Sequence, residues 1–157
     1  MITEIRGNAV KLKESGEVDA LMHCCNALGV MGAGIAAQIK RANYESFTEY
    51  REHCLNHDYK PEHLLGDVIC SHGYYHIIGQ ASVGTGRRQV DYGALAVGFS
   101  LIANAHKEAQ EAIKLAVPKY IGCMLAGGDW VVIQELLYGF FAKNEYIHLY
   151  IVKYDNS

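Results

Sequence analysis

Residues 18–37 read VDALMHCCNALGVMGAGIAA. The first seven, Val18 to Cys24, are an apolar run of strand length. So little polarity suits a strand buried on both faces, at the centre of a sheet covered by helices. A glycine-bearing loop, Gly29 to Gly34, comes next, and a helix then runs through about Arg41. Strand, glycine loop and helix in that order form the unit of an open α/β sheet. Such sheets bind ligands outside the carboxyl ends of their strands.

The rest of the chain repeats the alternation. Ile2 to Ile5 is a short strand that ends at Arg6-Gly7-Asn8, and Tyr44 to His57 is a second, more polar helix. Asp67 to Ser71 and Tyr74 to Ile78 read as a hairpin around Gly73, followed by a second glycine loop, Gly79 to Gly86. Tyr92 to Leu115 reads as one long helix. Leu95, Phe99, Ile102, His106, Ala109 and Ile113 recur at steps of three and four and give it one apolar stripe. Val117 to Gly122 starts a further strand, Gly127-Gly128 makes a third glycine loop, Trp130 to Ala142 is a helix, and Tyr146 to Tyr154 is an alternating strand. The expectation is one α/β domain over residues 1–157, in three layers, α/β/α, with a central mixed, mostly parallel sheet.

Composition agrees. The chain has 157 residues, half of them apolar and a fifth charged. At that length one core buries roughly 70% of the unfolded surface. Glycine is in excess, 16 residues against the roughly 11 of average usage. The net charge of −3 argues against a nucleic-acid polymer as partner. The basic runs, Lys11 with Lys13 and Arg87-Arg88, are too short to neutralise a row of phosphates. No apolar run reaches the ~18 residues of a membrane span, and the first residues lack the pattern of a signal peptide. Five cysteines, an odd number without CxxC spacing, read as reduced thiols in a cytoplasmic protein. A monomer is expected.

Gly32-x-Gly34-x-x-Ala37 matches the G-x-G-x-x-A pattern of dinucleotide-binding loops. The context does not fit. The glycines do not follow the strand directly, another strand precedes it, and no acidic strand end appears ~20 residues later. What remains is physical. A glycine turn opening a helix exposes unpaired backbone N–H groups at the positive end of the helix dipole, which makes an anion site suited to phosphate.

Two stretches resemble a known family. His23-Cys-Cys-Asn26 followed by Gly29-Val-Met-Gly-Ala-Gly-Ile-Ala36 resembles the first ligand loop of macrodomains. Pro118-Lys-Tyr-Ile-Gly-Cys-Met-Leu-Ala-Gly-Gly-Asp-Trp130 resembles their second. The order of elements agrees from Ile2 to Tyr154. The likeness is to the small stand-alone branch that includes ADP-ribose-1''-phosphate phosphatases and terminal ADP-ribose glutamate hydrolases. It implies a small-molecule ADP-ribose derivative as ligand, ADP-ribosylated macromolecules as a further class of partner, and neither cofactor nor metal.

The resemblance assigns roles residue by residue. Asn8, with Ala9, stands where many macrodomains carry the aspartate that receives the adenine amino group. Asn26 matches the asparagine facing the distal ribose. Gly32, Ala33, Gly34 and Ile35 would wrap the diphosphate, with Leu125, Ala126, Gly127 and Gly128 as the opposing wall. Tyr154 takes the place of an aromatic near adenine. Asp129 is the leading catalytic candidate, as a carboxylate that orients or deprotonates water. His23 is the second, since imidazole titrates near neutral pH. Each also has a plain structural reading. Asn8 can be a turn residue, Asn26 a cap for the loop, Asp129 a helix N-cap, His23 a satisfied core histidine and Tyr154 edge-strand packing.

The glutamate hydrolases of that branch use a lysine after the fourth strand and an aspartate in the second loop. Here Ile78-Gly-Gln-Ala-Ser82 holds no lysine, and Ala126 stands at the aspartate position. Removal of the terminal phosphate of ADP-ribose-1''-phosphate is therefore the leading expectation. A non-catalytic ADP-ribose reader and an ADP-ribosyl ester hydrolase are the alternatives. Arg87 or Arg88 would close the loop 84–88 over the distal phosphate. His53, His57 and Cys54 lack a further metal ligand, and neither Cys24 nor Cys25 has an identifiable activating partner.

Overall fold

The computed structural model describes residues 1–84 and 87–155. Twelve elements follow one another: β1 (Ile2–Gly7), α1 (Ala9–Glu14), β2 (Ala20–Asn26), α2 (Gly34–Ala42), α3 (Tyr44–Asn56), α4 (Pro61–Leu64), β3 (Val68–Ser71), β4 (Tyr74–Gln80), α5 (Tyr92–Ala109), β5 (Ile113–Pro118), α6 (Trp130–Phe141) and β6 (Ile147–Tyr154). The six strands make one sheet in the order β1-β6-β5-β2-β4-β3. Every neighbouring pair is parallel except the β3/β4 hairpin. The sheet is thus mixed and mostly parallel, with helices on both faces.

The apolar run of β2 lies between β5 and β4, and its side chains alternate between two cores. Met22 points to the α5/α6 side, with Ile77, Leu115, Val117, Leu149 and Ile151. Leu21 and Cys25 point to the other side, where α1 and α2 cover Leu21 and Tyr74 while α3 and α4 cover Cys25 and Ile78.

Two expectations change. The long helix stops at Ala109, and β5 begins at Ile113, four residues before the expected strand. Gln110 turns left-handed (φ 54°) and closes the helix. Ile113–Pro118 then finds six partners on β6. The stripe that continued through Ile113 in helical phase is overruled by strand pairing, a tertiary gain that local periodicity does not contain. In consequence residues 119–123 are turns rather than strand. Also, Gly7-Asn8-Ala9 is not only a turn. Asn8 caps α1, its side chain accepting from the Lys11 N–H.

Candidate functional site

The carboxyl ends of β2, β4 and β5 open onto a cleft of about 520 Å³. Three loops wall it: residues 30–36 after β2, Val83 and Gly84 after β4, and residues 119–122 with 124–126 after β5, together with the strand ends Gln80 and Pro118. The first wall leaves backbone donors uncapped. Ala33 precedes α2 in extended backbone and supplies no side-chain cap. The first intrahelical bond of α2 runs from the Ala37 N–H to the Ala33 carbonyl. The amides of Gly34, Ile35 and Ala36 precede it at the positive end of the helix, where intrahelical acceptors do not exist. A diphosphate lying across them meets donors and a favourable dipole.

Asn26 ends β2 and lines the cleft. Its Nδ2 donates to the Val30 carbonyl at 3.0 Å. Its Oδ1 accepts from the Leu28 N–H at 3.0 Å and the Val30 N–H at 3.4 Å. The side chain therefore shapes the loop, whatever else it does. Beside it, the Cys24 thiol lies 3.8 Å from Gln80 Oε1, and Gln80 Nε2 donates to the Ser82 carbonyl. Burial pushes the Cys24 thiol up to about 12, so it is no nucleophile. Lys119, also in the lining, is paired with Glu4 at 2.6 Å. Among the described residues the lining holds no carboxylate and no imidazole.

His23 is elsewhere. It is fully buried, and its Nε2 meets Nδ1 of His76, its register partner on β4, at 2.7 Å. His76 Nε2 lies 2.6 Å from the Ser46 hydroxyl of α3, which is 3.1 Å from the Ser71 carbonyl. A carbonyl can only accept, so the chain has one direction. Ser46 donates to Ser71, His76 donates to Ser46 and His23 donates to His76, while the Cys25 sulfur lies 3.4 Å from Nε2 and 3.7 Å from Nδ1 of His23. Burial holds both imidazoles neutral, with His76 at about 4 and His23 well below the ordinary value. The catalytic role expected for His23 is corrected by this placement: the ring has no surface to meet a substrate. His23, Cys25 and His76 lie within 4.8 Å of one another, as metal ligands would, but hydrogen bonds already use their donors and acceptors. His53 pairs instead with Asp67, at 2.8 Å.

The remaining expected residues divide. Asn26, Gly32, Ala33, Gly34, Ile35, Leu125 and Ala126 all line the cleft. Gly127 and Gly128 stand behind the wall, and their amides bond the Met124 and Gly122 carbonyls. Asp129 is exposed outside the lining and caps α6, Oδ1 accepting from the Val131 N–H at 2.9 Å, while its own N–H donates to the Tyr92 hydroxyl. Asn8 spends its carbonyl on α1, and Ala9 is buried as the first residue of that helix. Tyr154 is exposed at the end of β6, beside Gly7 in the register. These last three stand on the same strand-end side of the sheet, outside the cleft lining. Arg88 lies over the Tyr92 ring, 4.4 Å from its centroid, and neither Arg87 nor Arg88 is in the lining; Thr85 and Gly86 of that loop lie outside the described residues.

Of the stretch read as a second ligand loop, Pro118, Lys119, Tyr120 and Met124 also line the cleft, beyond the wall residues assigned to it. The signal was available. Ending β5 at Pro118 makes residues 119–126 a strand-end loop, the place where α/β ligands sit.

With its parallel centre, its antiparallel edge hairpin and its cleft over the strand ends, the chain matches one class of solved structures. It superposes on the macrodomain of Mycobacterium tuberculosis DarG with a TM-score of 0.77, at 24% identity, over 100% of this chain and 99% of that one. It superposes on Thermosipho africanus DarTG in complex with ADP-ribose with a TM-score of 0.76, at 18% identity, over 97% of this chain and 41% of that one. The chain has the macrodomain fold. No family model matches its sequence. Two curated relatives named ADP-ribose 1''-phosphate phosphatase, from Aspergillus oryzae and Meyerozyma guilliermondii, are 34% and 38% identical to it over 64 residues. The match spans 41% of this chain and only 30% and 36% of theirs.

Proposed function

We propose that the cleft binds an ADP-ribose derivative and that the chain removes the terminal phosphate of ADP-ribose-1''-phosphate. One observation carries the binding: the uncapped start of α2, with Gly32, Ala33, Gly34 and Ile35, forms one wall of a strand-end cleft of nucleotide size. The hydrolytic step is supported by the names of the two sequence relatives. Asp129 is the group assigned to it, as the carboxylate at the edge of the second loop. Water activated there attacks phosphorus, the P–O bond to the distal ribose breaks, and the products are inorganic phosphate and ADP-ribose. His23 has no part in it. An ADP-ribosylated macromolecule would present the same ligand from outside, and a cytoplasmic setting accords with five free thiols.

A second reading, a non-catalytic ADP-ribose binder, is favoured by the lack of carboxylate and imidazole in the described lining. Two measurements separate the readings. ADP-ribose at 100 times Kd adds about 2.7 kcal/mol, which raises Tm by about 8 °C for a chain of this length. Absence of a shift at millimolar ligand ends both readings. Release of inorganic phosphate from ADP-ribose-1''-phosphate then identifies the enzyme, and Asp129→Ala is expected to lower turnover at least ~100-fold. Full turnover in that variant removes Asp129 from the mechanism, and binding without release leaves the reader.

A further inference from the structure

We propose that Tyr50, on α3, positions the Asn26 amide, which offers a ligand a single N–H donor. This rests on the ADP-ribose reading of the cleft and deepens it.

Tyr50 is fully buried, packed with Cys25, Phe47 and Cys54 behind the first loop. Its hydroxyl proton is shared between the main-chain oxygen of Asn26 at 2.6 Å and Oδ1 of the same residue at 2.9 Å. Burial keeps the phenol protonated. One side chain thus ties the end of β2 and the Asn26 amide together.

The consequence lies in the count of donors and acceptors. Oδ1 of Asn26 faces three donors: the Leu28 N–H, the Val30 N–H and the Tyr50 hydroxyl. An amide oxygen has two lone pairs, so it is saturated. Nδ2 gives one proton to the Val30 carbonyl, and its second proton is what the amide keeps for the cleft. The amide cannot be turned over, because backbone donors surround one end and a backbone acceptor meets the other. Asn26 therefore presents a donor alone. The ligand atom opposite must accept, and on the ADP-ribose reading it is a hydroxyl oxygen of the second ribose. Removing the Tyr50 hydroxyl leaves the two backbone donors on Oδ1 but unties the amide from α3, and discrimination at that point weakens.

The test uses the whole chain and two probes, ADP-ribose and ADP, which lacks the second ribose. Calorimetry on wild type should show tighter binding of ADP-ribose. In Tyr50→Phe the ratio of the two affinities should fall about tenfold, the size of one lost hydrogen bond, with ADP binding unchanged within about twofold. In the Asn26→Ala background Tyr50→Phe should leave the ratio unchanged. A merely structural Tyr50 weakens both probes together, and that result overturns the proposal, as does full additivity with Asn26→Ala. If Tyr50→Phe does not fold, the Asn26 side-chain amide of wild type is followed by NMR. One Nδ2 proton should shift with ADP-ribose and neither with ADP; both shifting, or neither, overturns the proposal. A wild type that binds neither probe fails the reading of the cleft itself, and this inference falls with it. Binding with an unchanged ratio in Tyr50→Phe sinks only the inference.

Discussion

The loop after β2 and the loop after β5 look alike in sequence and use their glycines for opposite reasons. In the first, a Cβ placed on Gly32 or Gly34 would meet no protein atom within 4 Å. In the second, a Cβ on Gly128 would stand 2.6 Å from the Gly122 carbonyl oxygen and 2.9 Å from Val90, and one on Gly127 3.2 Å from the Arg88 Cα. The first loop keeps empty space in front of it, and the second keeps none behind it. A glycine count therefore reports two needs at once, room for a ligand and close approach of backbone to backbone. The loops also differ in support. The first hangs from β2 and α3, through Asn26 and the buried imidazoles of His23 and His76. The second rests on residues 87–90, where the Gln89 and Val90 N–H groups both meet the Ala126 carbonyl.

Acid should break this comparison most. The folded chain holds His76 near 4, against 6.5 when unfolded, so between those values the unfolded chain binds more protons. Stability from this residue is complete above pH 6.5 and is lost as pH falls towards 4, by about 3 kcal/mol in total. Urea midpoints at pH 7 and pH 4.5 should show that loss, and His76→Gln should flatten it. An unchanged slope in the variant would show that these imidazoles do not govern acid stability.

Gly128→Ala comes next. Backbone lies where the methyl must go, so about 2 kcal/mol should be lost, read as a lower urea midpoint, with ligand affinity unchanged in the fraction that folds. Gly32→Ala should have the smallest effect on stability, under about 0.5 kcal/mol, because its methyl meets only open cleft. It should nonetheless weaken ADP-ribose about tenfold, or 1.4 kcal/mol, by calorimetry. If both variants lose stability alike, the distinction between the loops is wrong.

Much of this was legible beforehand. The continuous apolarity of Val18 to Cys24 predicts a central strand, and β2 is one. The glycine loop before Ile35 predicts a helix start open to anions, and α2 begins there. His23 was not legible. A histidine at the end of a strand near a ligand loop reads as chemistry, and only its register partner and Ser46 reveal it as one link in a buried chain. Asp129 was legible as a cap and stays one. The start of β5 was misread because the helical stripe of α5 continued in phase into it.

The sequence by itself determined the layers, the central strand and the loop that opens the cleft, because apolar periodicity and glycine act over a few neighbours. Tertiary structure decided which side of β2 each residue faces, where α5 yields to β5, and that the imidazoles close on one another instead of on a ligand. Those outcomes depend on partners 30 to 53 residues away along the chain, and no local pattern carries that information.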